Sequence, residues 1–373
     1  MKALGMAVTV DAAGNLRGVW EPSGGSGRRL MIGSHIDTVP DAGAFDGVLG
    51  VVLALELVTG AKASGLPLSI EVIAFSEEEG VRFGVPFLGS RAVAGRFDPS
   101  LLDLTDSSGT TLRQSIRDFG LEPNDVLDVT KTQTGEPAIG FLEIHIEQGP
   151  VLEAEGKPLA VVTAIAGQTR CEVTFIGQAN HAGTTPMSLR KDALAAAAEW
   201  IVEVEKAAKH DRYQRDDSGL VATVGKIVAE PNAGNVIAGR ATVSLDIRST
   251  RDQLRNQLVE ELLDRAGVIA ERRSLSVRSR QLLQQPAVPM DERLTAILLE
   301  CVGAAGFPQR SLSSGAGHDA MVMATRLPTA MLFLRSPGGV SHHPDEAVLE
   351  SDGEAALQVG TLFLRRLAST SED

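Results

Sequence analysis

Seven histidines lie in this chain of 373 residues, and all but His210 sit in short glycine-rich or acidic segments near the ends of predicted elements. The segment GSHIDTVPDAGAFDG, Gly33 to Gly47, puts His35 at the carboxyl end of a predicted strand. Open α/β sheets place their ligands there. Asp46 follows in the same loop, which is long enough to fold both side chains onto one point. Asp37, two residues after His35, could hold the other ring nitrogen and fix its tautomer. Alone, the segment also fits a satisfied loop histidine followed by an N-cap aspartate. Next, FSEEEGVRFG crowds Glu77, Glu78 and Glu79 at a second strand end. Such like charges are costly unless a cation or protons intervene, or unless all are solvated. Beside His35 and Asp46, one glutamate could bind a cation and its neighbour could take a proton from a bound water. In LEIHIEQGP, His145 lies within an apolar alternation and precedes Glu147, Gln148 and Gly149. A lone strand histidine is ordinarily a core residue. Last, SPGGVSHHPDE pairs His342 with His343 after Gly338 and Gly339. Adjacent side chains of an extended segment point apart, so one of the pair reaches a common site. Histidines and carboxylates from four strand ends suit two divalent metals bridged by one carboxylate. Nitrogen-plus-oxygen ligation fits zinc, with manganese, cobalt or nickel as alternatives. Two metals can clamp a hydroxide, because binding lowers the water pKa to about 7.

The elements that must position these groups alternate. Arg29 to His35, Leu68 to Phe75 and Phe141 to Ile146 read as buried strands, and Val48 to Val58 as an apolar helix. This alternation predicts an α/β fold with a mainly parallel sheet covered on both faces. Asp98 to Glu136 is polar and weakly patterned, predicting short helices and surface loops. From Thr169 the pattern changes. Strands at 169–177, 220–228, 240–248 and 274–280, with helices at 191–206 and 251–265, give the order βαββαβ of a ferredoxin-like α+β domain. Helix and strand then resume at Leu294 to Ala305 and Ala330 to Leu334. The expected organisation is a discontinuous catalytic domain, 1–166 and 284–373, with an inserted domain at 167–283. The polar tail after Thr370 is expected to fray.

Composition narrows the function. At about 150 residues per domain the length suggests two domains, and 43% apolar with 22% charged residues describes a folded chain. The 35 basic and 48 acidic residues leave a net charge of −13, which argues against binding nucleic acid or an anionic membrane. No apolar run of membrane-spanning length occurs. MKALGMAVTV runs straight into Asp11 and the turn-like DAAGN, so it reads as the first strand of a hairpin, not a secretory signal. Cys171 and Cys301 share no metal spacing, and a reducing cytoplasm is the expected compartment. With aromatics at 4% and a single tyrosine, Tyr213, a base-stacking platform is not expected.

From about Val10 to Leu364 the chain resembles the hydantoinase/carbamoylase group of zinc amidohydrolases, within the aminoacylase and carboxypeptidase-G-like superfamily. The resemblance rests on seven motifs in family order: GSHIDTVPDAGAFDG, SEEEGVRF, LEIHIEQGPVLE, GQANHAGTTPMSLRKDA, NVIAGRATVSLDIRS, SGAGHDA and GGVSHHPDE. It implies that His35, Asp46 and His145 hold one metal. Asp46, Glu79 and His342 would hold the other, with Asp46 bridging. Anchoring on Gly80-Val81-Arg82-Phe83 makes Glu78 the base, and the histidine directly after serine makes His342, not His343, the ligand. His181 is implied as the group that polarises the scissile carbonyl. Asn235 and Arg248 are implied to grip a substrate carboxylate, for which arginine offers a bidentate fork. Gln148 and Gly339 would line the same pocket. The role of His318 and Asp319 stays open, as a pair behind the ligands or a helix cap.

The implied reaction cleaves the carbamoyl or ureido C–N bond of N-carbamoyl-L-amino acids or allantoate, releasing ammonia and carbon dioxide. The substrate is thus a small ureido or carbamoyl carboxylate, and the inserted domain is implied to act as a lid and to form a homodimer. The family's longer amino-terminal helical stretch is almost absent, which implies a missing cover over the catalytic domain. Two rivals share parts of the pattern: an aminoacylase- or dipeptidase-like hydrolase attacking an acyl amide, and a non-catalytic metal-binding dimer.

Overall fold

The computed structural model describes residues 1–24, 27–132, 138–214 and 219–369, which leaves the tail after Thr370 outside the described residues. They form two compact units, Met1–Thr163 with Pro289–Asp373, and Ala164–Val288.

The first unit is built on a mixed sheet. Its middle is four parallel strands in the order Ser69–Phe75, Arg29–His35, Gly140–Ile146 and Thr329–Leu334. Each is buried along its whole length, which is why each reads as a near-continuous apolar run. Leu30, Ile32, Ile70, Val72, Leu142 and Leu332 share one core with the helices Val48–Ala63, Glu292–Ala304 and Glu350–Ser369. The expectation of a mainly parallel sheet needs correction at both edges. Leu16–Trp20 pairs antiparallel with Ser69–Phe75 and with Ala7–Val10, and Leu159–Ile165 returns antiparallel against Thr329–Leu334. A tight turn accounts for the first hairpin alone, because it can join only antiparallel neighbours; the other two pairs join strands distant in sequence. The opening segment does form the expected hairpin, closed around Asp11–Asn15.

Parallel direction puts four carboxyl ends on one edge of the sheet. The ladder between Arg29–His35 and Gly140–Ile146 runs from Leu30↔Gly140 to Ile32↔Leu142, and both strands continue beyond it to His35 and His145. Chain order reverses here, with Ser69–Phe75 on one side and Thr329–Leu334 on the other. A crevice at such a reversal is where open α/β sheets bind ligands.

Asp98 to Glu136 holds the short helices Leu112–Asp118 and, in 3-10 form, Pro99–Asp103, Pro123–Leu127 and Val129–Thr132. It is more than surface loop: Leu102, Leu112, Ile116 and Val126 pack a small core with Phe83, Leu88 and Ala92. The sparse apolar spacing hides this, because the contacts lie between short pieces.

The second unit is an antiparallel sheet in the order Ile227–Glu230, Arg240–Ser249, Gly167–Ile176, Ser276–Gln285. The helices Ala193–Ala208 and Asp252–Arg272 supply Ala196, Trp200, Leu258 and Leu262 to its core. The strand expected at 220–228 is two pieces, Val221–Thr223 and Ile227–Glu230, both on Arg240–Ser249. Thr223 faces Asp246 and Ile227 faces Val243, so four steps on one strand match three on the other. One extra residue breaks the strand as a bulge does. The final strand runs on to Gln285, past the expected Arg280.

Candidate metal centre

Asp46 lies at the centre of the first unit's crevice. Its Oδ1 is 3.4 Å from His35 Nε2 and 3.1 Å from His145 Nε2. Its Oδ2 faces elsewhere, 3.1 Å from His342 Nε2, whose ring is 3.5 Å from Glu79 Oε1. The ligand atoms of His35, Asp46 and His145 form one group, and those of Asp46, Glu79 and His342 another. The two oxygens of one carboxylate thus serve two separate sets. His343 turns away and pairs with Asp345 at 3.6 Å.

Local structure fixes the rings. His35 Nδ1 donates to the Asp37 carbonyl at 2.8 Å, and His145 Nδ1 to the Ile146 carbonyl at 2.9 Å. A carbonyl only accepts, so each Nδ1 carries hydrogen and each Nε2 is the ring atom turned to Asp46. The expectation that the Asp37 carboxylate would hold His35 is therefore corrected. That carboxylate instead accepts the backbone N–H of Glu78 and of Glu79, each at 3.1 Å. The backbone carbonyl of residue 37 is already within reach of the ring, which frees the side chain to grip the glutamate loop. Asn15 anchors the same loop from the other side. Buried, it accepts the Ser76 N–H at 3.0 Å and donates to the Gly89 carbonyl at 3.2 Å. Gly47 has φ +69°, and a Cβ there would overlap the His35 ring. Only glycine allows that turn beside the imidazole.

The electrostatics are those of a cation site. Burial would lower the His35 and His145 imidazoles, but the hydrogen bonds they donate to Asp46 and the charges of the surrounding acids outweigh it. They hold His35 well above, and His145 above, the usual histidine range. Burial alone would raise Asp46, yet the same two imidazoles hold it far below the usual carboxylate range. Burial pushes the Glu78 carboxyl well up, helped by the charges of Asp319, Glu79 and Glu143, and pushes Glu79 up as well. Glu79 Oε1 is buried without a hydrogen-bond donor. The His35 and His145 Nε2 atoms are 3.5 Å apart on one carboxylate oxygen. Two imidazolium protons there would repel, whereas a divalent cation satisfies both nitrogens and the oxygen. The residues fit divalent metals.

Glu78 is buried 4.0 Å from His35 Nε2 and belongs to neither Asp46-centred group. Gln148, at φ +58°, donates from Nε2 to Asp46 Oδ2 at 2.8 Å and to Ser341 Oγ at 3.2 Å. Gly339, at φ +63°, lies against Pro150 in the same unit. His318 stacks edge-on to His145 with ring centres 4.5 Å apart, and its Nε2 donates to Ser314 Oγ at 2.8 Å. Burial keeps it well below the usual histidine range. Asp319 is fully buried, with neither carboxyl oxygen hydrogen-bonded.

His181, Asn235 and Arg248 lie in the second unit. His181 is exposed on a two-stranded ribbon with Val236–Ile237. Its Nδ1 accepts the N–H of Gly183 at 3.0 Å and of Thr184 at 3.2 Å, so the ring proton sits on Nε2. The Asn235 carbonyl accepts the Ala182 N–H at 2.9 Å, binding it to the same loop. Arg248 forks onto Asp246, Nε to Oδ1 at 3.0 Å and Nη2 to Oδ2 at 3.1 Å. Sequence reasoning missed Asp246, although two residues apart on a strand is one face. It also gave no role to Ser341 and Glu346, which lie within the His342 motif.

Among the described residues, no helix is long and apolar enough to cross a membrane. The sequence pattern of the family described as Peptidase family M20/M25/M40 matches residues 31–369. The allantoate deiminase of Arabidopsis thaliana is 40% identical over 385 residues, covering 96% of this chain and 73% of that relative. The N-carbamoyl-L-amino acid amidohydrolase of Geobacillus stearothermophilus is 37% identical over 361 residues, covering 96% and 86%. A crystal structure of a hydantoinase/carbamoylase-family amidase from Burkholderia multivorans superposes with a TM-score of 0.91 at 33% identity, covering 100% of this chain and 88% of that one.

Proposed function

The chain belongs to the M20/M25/M40 peptidase family, and from that premise we propose that it is a metal-dependent amidohydrolase of ureido and N-carbamoyl carboxylates. It hydrolyses carbon–nitrogen bonds other than peptide bonds. One water and an N-carbamoyl-L-amino acid give the amino acid, carbon dioxide and ammonia; allantoate gives the corresponding ureido acid. Asp46 carries this reading, because its two oxygens face two separate ligand sets.

His35 and His145 with Asp46 Oδ1 form the first cation site, and Glu79 and His342 with Asp46 Oδ2 the second. When bound, two divalent cations, zinc by ligand type, would acidify a water to a pKa of about 7 and polarise the scissile carbonyl. Glu78 takes the proton of the attacking water and delivers it to the leaving nitrogen. Its raised carboxyl suits the first half of that task, since a carboxylate of higher pKa is the stronger base. His181 presents Nε2–H as a donor to the oxygen that gains charge, a role worth about 2.7–4 kcal/mol for one such donor. Asn235 and Arg248 bind the substrate carboxylate, Asp246 holding the guanidinium fork in plane beforehand. Gln148 and Gly339 line the substrate pocket, Gln148 reaching Asp46 Oδ2 as well. In this reading 1–166 with 284–373 is the catalytic domain and 167–283 a lid through which the protein dimerises. The two free, buried thiols, Cys171 and Cys301, accord with a reducing compartment.

The test is ammonia release from N-carbamoyl-L-amino acids and allantoate, with N-acyl amino acids and dipeptides alongside, in zinc, manganese or cobalt. Turnover of the ureido compounds is expected. Turnover confined to acyl amides or dipeptides would establish the aminoacylase-like rival. Bound metal with no turnover on any of them would establish the non-catalytic one.

A further inference from the structure

Glu346 has no part in the chemistry above, yet it joins the two loops that carry Asp46 and His342. It is 5% exposed. Its Oε1 accepts the backbone N–H of Phe45 at 2.9 Å and of Asp46 at 3.0 Å. Its Oε2 lies 3.0 Å from Ser341 Oγ, and that hydroxyl is 3.2 Å from Asp46 Oδ2. The hydroxyl has one proton, which it can give to only one of the two carboxylates at a time, so the firm link from Glu346 to Asp46 runs through the two backbone N–H groups. The fit is close. A Cβ at residue 43 would overlap the Glu346 side chain, so Gly43 leaves the space through which Glu346 reaches the Asp46 loop.

We propose that Glu346 is a positioning residue that sets the bridging carboxylate of Asp46 against His342 and so builds the second of the two cation sites. This rests on the two-cation reading above. Two consecutive N–H groups on one oxygen fix both peptide planes, and with them the direction in which Asp46 leaves the chain. Neither loop has a strand or helix to do this: Asp46 lies before the helix Val48–Ala63, and His342 sits in irregular backbone at φ +56°. His35 and His145, by contrast, are carried on strands. The first cation site therefore keeps two rigid ligands when Glu346 is lost. The second, built from Asp46, Glu79 and His342, keeps only Glu79, whose loop Asp37 holds.

The test measures zinc binding to metal-free protein by competition with a chromophoric chelator, at a temperature where every variant is folded by circular dichroism. Losing a group that orients a ligand typically costs 10–100-fold in metal affinity. Glu346→Ala and Glu346→Asp should weaken the second zinc ion about 10–100-fold and the first no more than about threefold. Glu346→Gln keeps an acceptor for both N–H groups and should stay within about threefold of wild type for both ions. Should Glu346→Ala not fold, the shortened Glu346→Asp carries the same expectation. A purely structural role would lower the thermal midpoint and leave both affinities alone, and that result overturns the proposal. Equal weakening of both ions also overturns it. A wild-type protein that binds fewer than two zinc ions overturns the two-cation reading itself, whatever the variants do.

Discussion

Replacing Glu78 with glutamine separates proton transfer from metal ligation. Glu78 is 6% exposed and stands outside both groups that include Asp46. Burial already drives its carboxyl towards the neutral form, so an amide of the same shape should change stability by no more than about 1 kcal/mol. A positioned general base is worth about 10²–10⁴ in rate, which is about 2.7–5.4 kcal/mol at 1.36 kcal/mol per decade. Glu78→Gln should therefore lower kcat by about 10²–10⁴ with KM and metal content unchanged. Glu79→Gln should do the opposite first: it removes the negative charge beside His342 and replaces one carboxylate oxygen with an NH2 group, so one cation is lost and turnover follows. The wild-type rate should also carry an acidic limb displaced upward from ordinary carboxylates, because a base must be ionised and burial raises this one. That limb should vanish in Glu78→Gln. The assay is steady-state ammonia release over a pH series, with elemental metal analysis of the same samples. Native turnover in Glu78→Gln would refute the role. Loss of a cation in Glu78→Gln with both retained in Glu79→Gln would show that the two neighbours have been exchanged.

Metal binding should release protons. His35 and His145 are held above the usual value of 6.5, so in the metal-free protein they contribute stability that is full below that pH and lost as pH rises through their raised values. The metal-free thermal midpoint should thus fall above about pH 6.5 while zinc affinity climbs, with up to about two protons released, as calorimetry in buffers of different ionisation enthalpy will show. Arg248→Ala should raise KM for carboxylate substrates about 10–100-fold and leave kcat within a few-fold, since charged hydrogen bonds contribute about 1.5–3 kcal/mol. Arg248→Lys should recover little, because an ammonium lacks the fork that now engages Asp246, and a loss confined to kcat would contradict the assignment. Gly47→Ala should cost about 1–3 kcal/mol by denaturant titration, from a positive φ and an overlap with the His35 ring, and should weaken the first cation site.

The parallel centre of the sheet was legible because strands buried on both faces must be apolar throughout, as in SIEVIAF. The antiparallel edges were not, since pairing direction depends on how neighbouring strands are connected and residue type does not record it. Candidate ligands could be picked out where a histidine or acid breaks an apolar run at its carboxyl end. What each ring nitrogen meets could not. From spacing alone the Asp37 carboxylate and its carbonyl serve His35 equally; in the fold the carbonyl takes the ring and the carboxylate takes the backbone at Glu78 and Glu79. Glu346 was hidden for a related reason. Its partners, Phe45 and Asp46, lie 301 and 300 residues away, and they are backbone groups, which every residue has.

The choice of counter-charge explains why so acidic a crevice can fold and still accept metal. Glu143 and Asp319 are fully buried near Asp46, Glu78 and Glu79, and burial pushes both carboxyls up. Glu143 is braced, accepting from Ser34 Oγ and from the Ala320 N–H at 2.7 Å each. Among the described residues, the ion-pair partners of Asp46, Glu78 and Glu79 are histidines, with no lysine or arginine among them. An arginine there would neutralise the acids permanently and compete with a metal ion for them. An imidazolium neutralises them only while it keeps its proton, and gives up that proton to become a ligand. The His35 and His145 rings can therefore balance Asp46 during folding and present their Nε2 atoms to a metal afterwards.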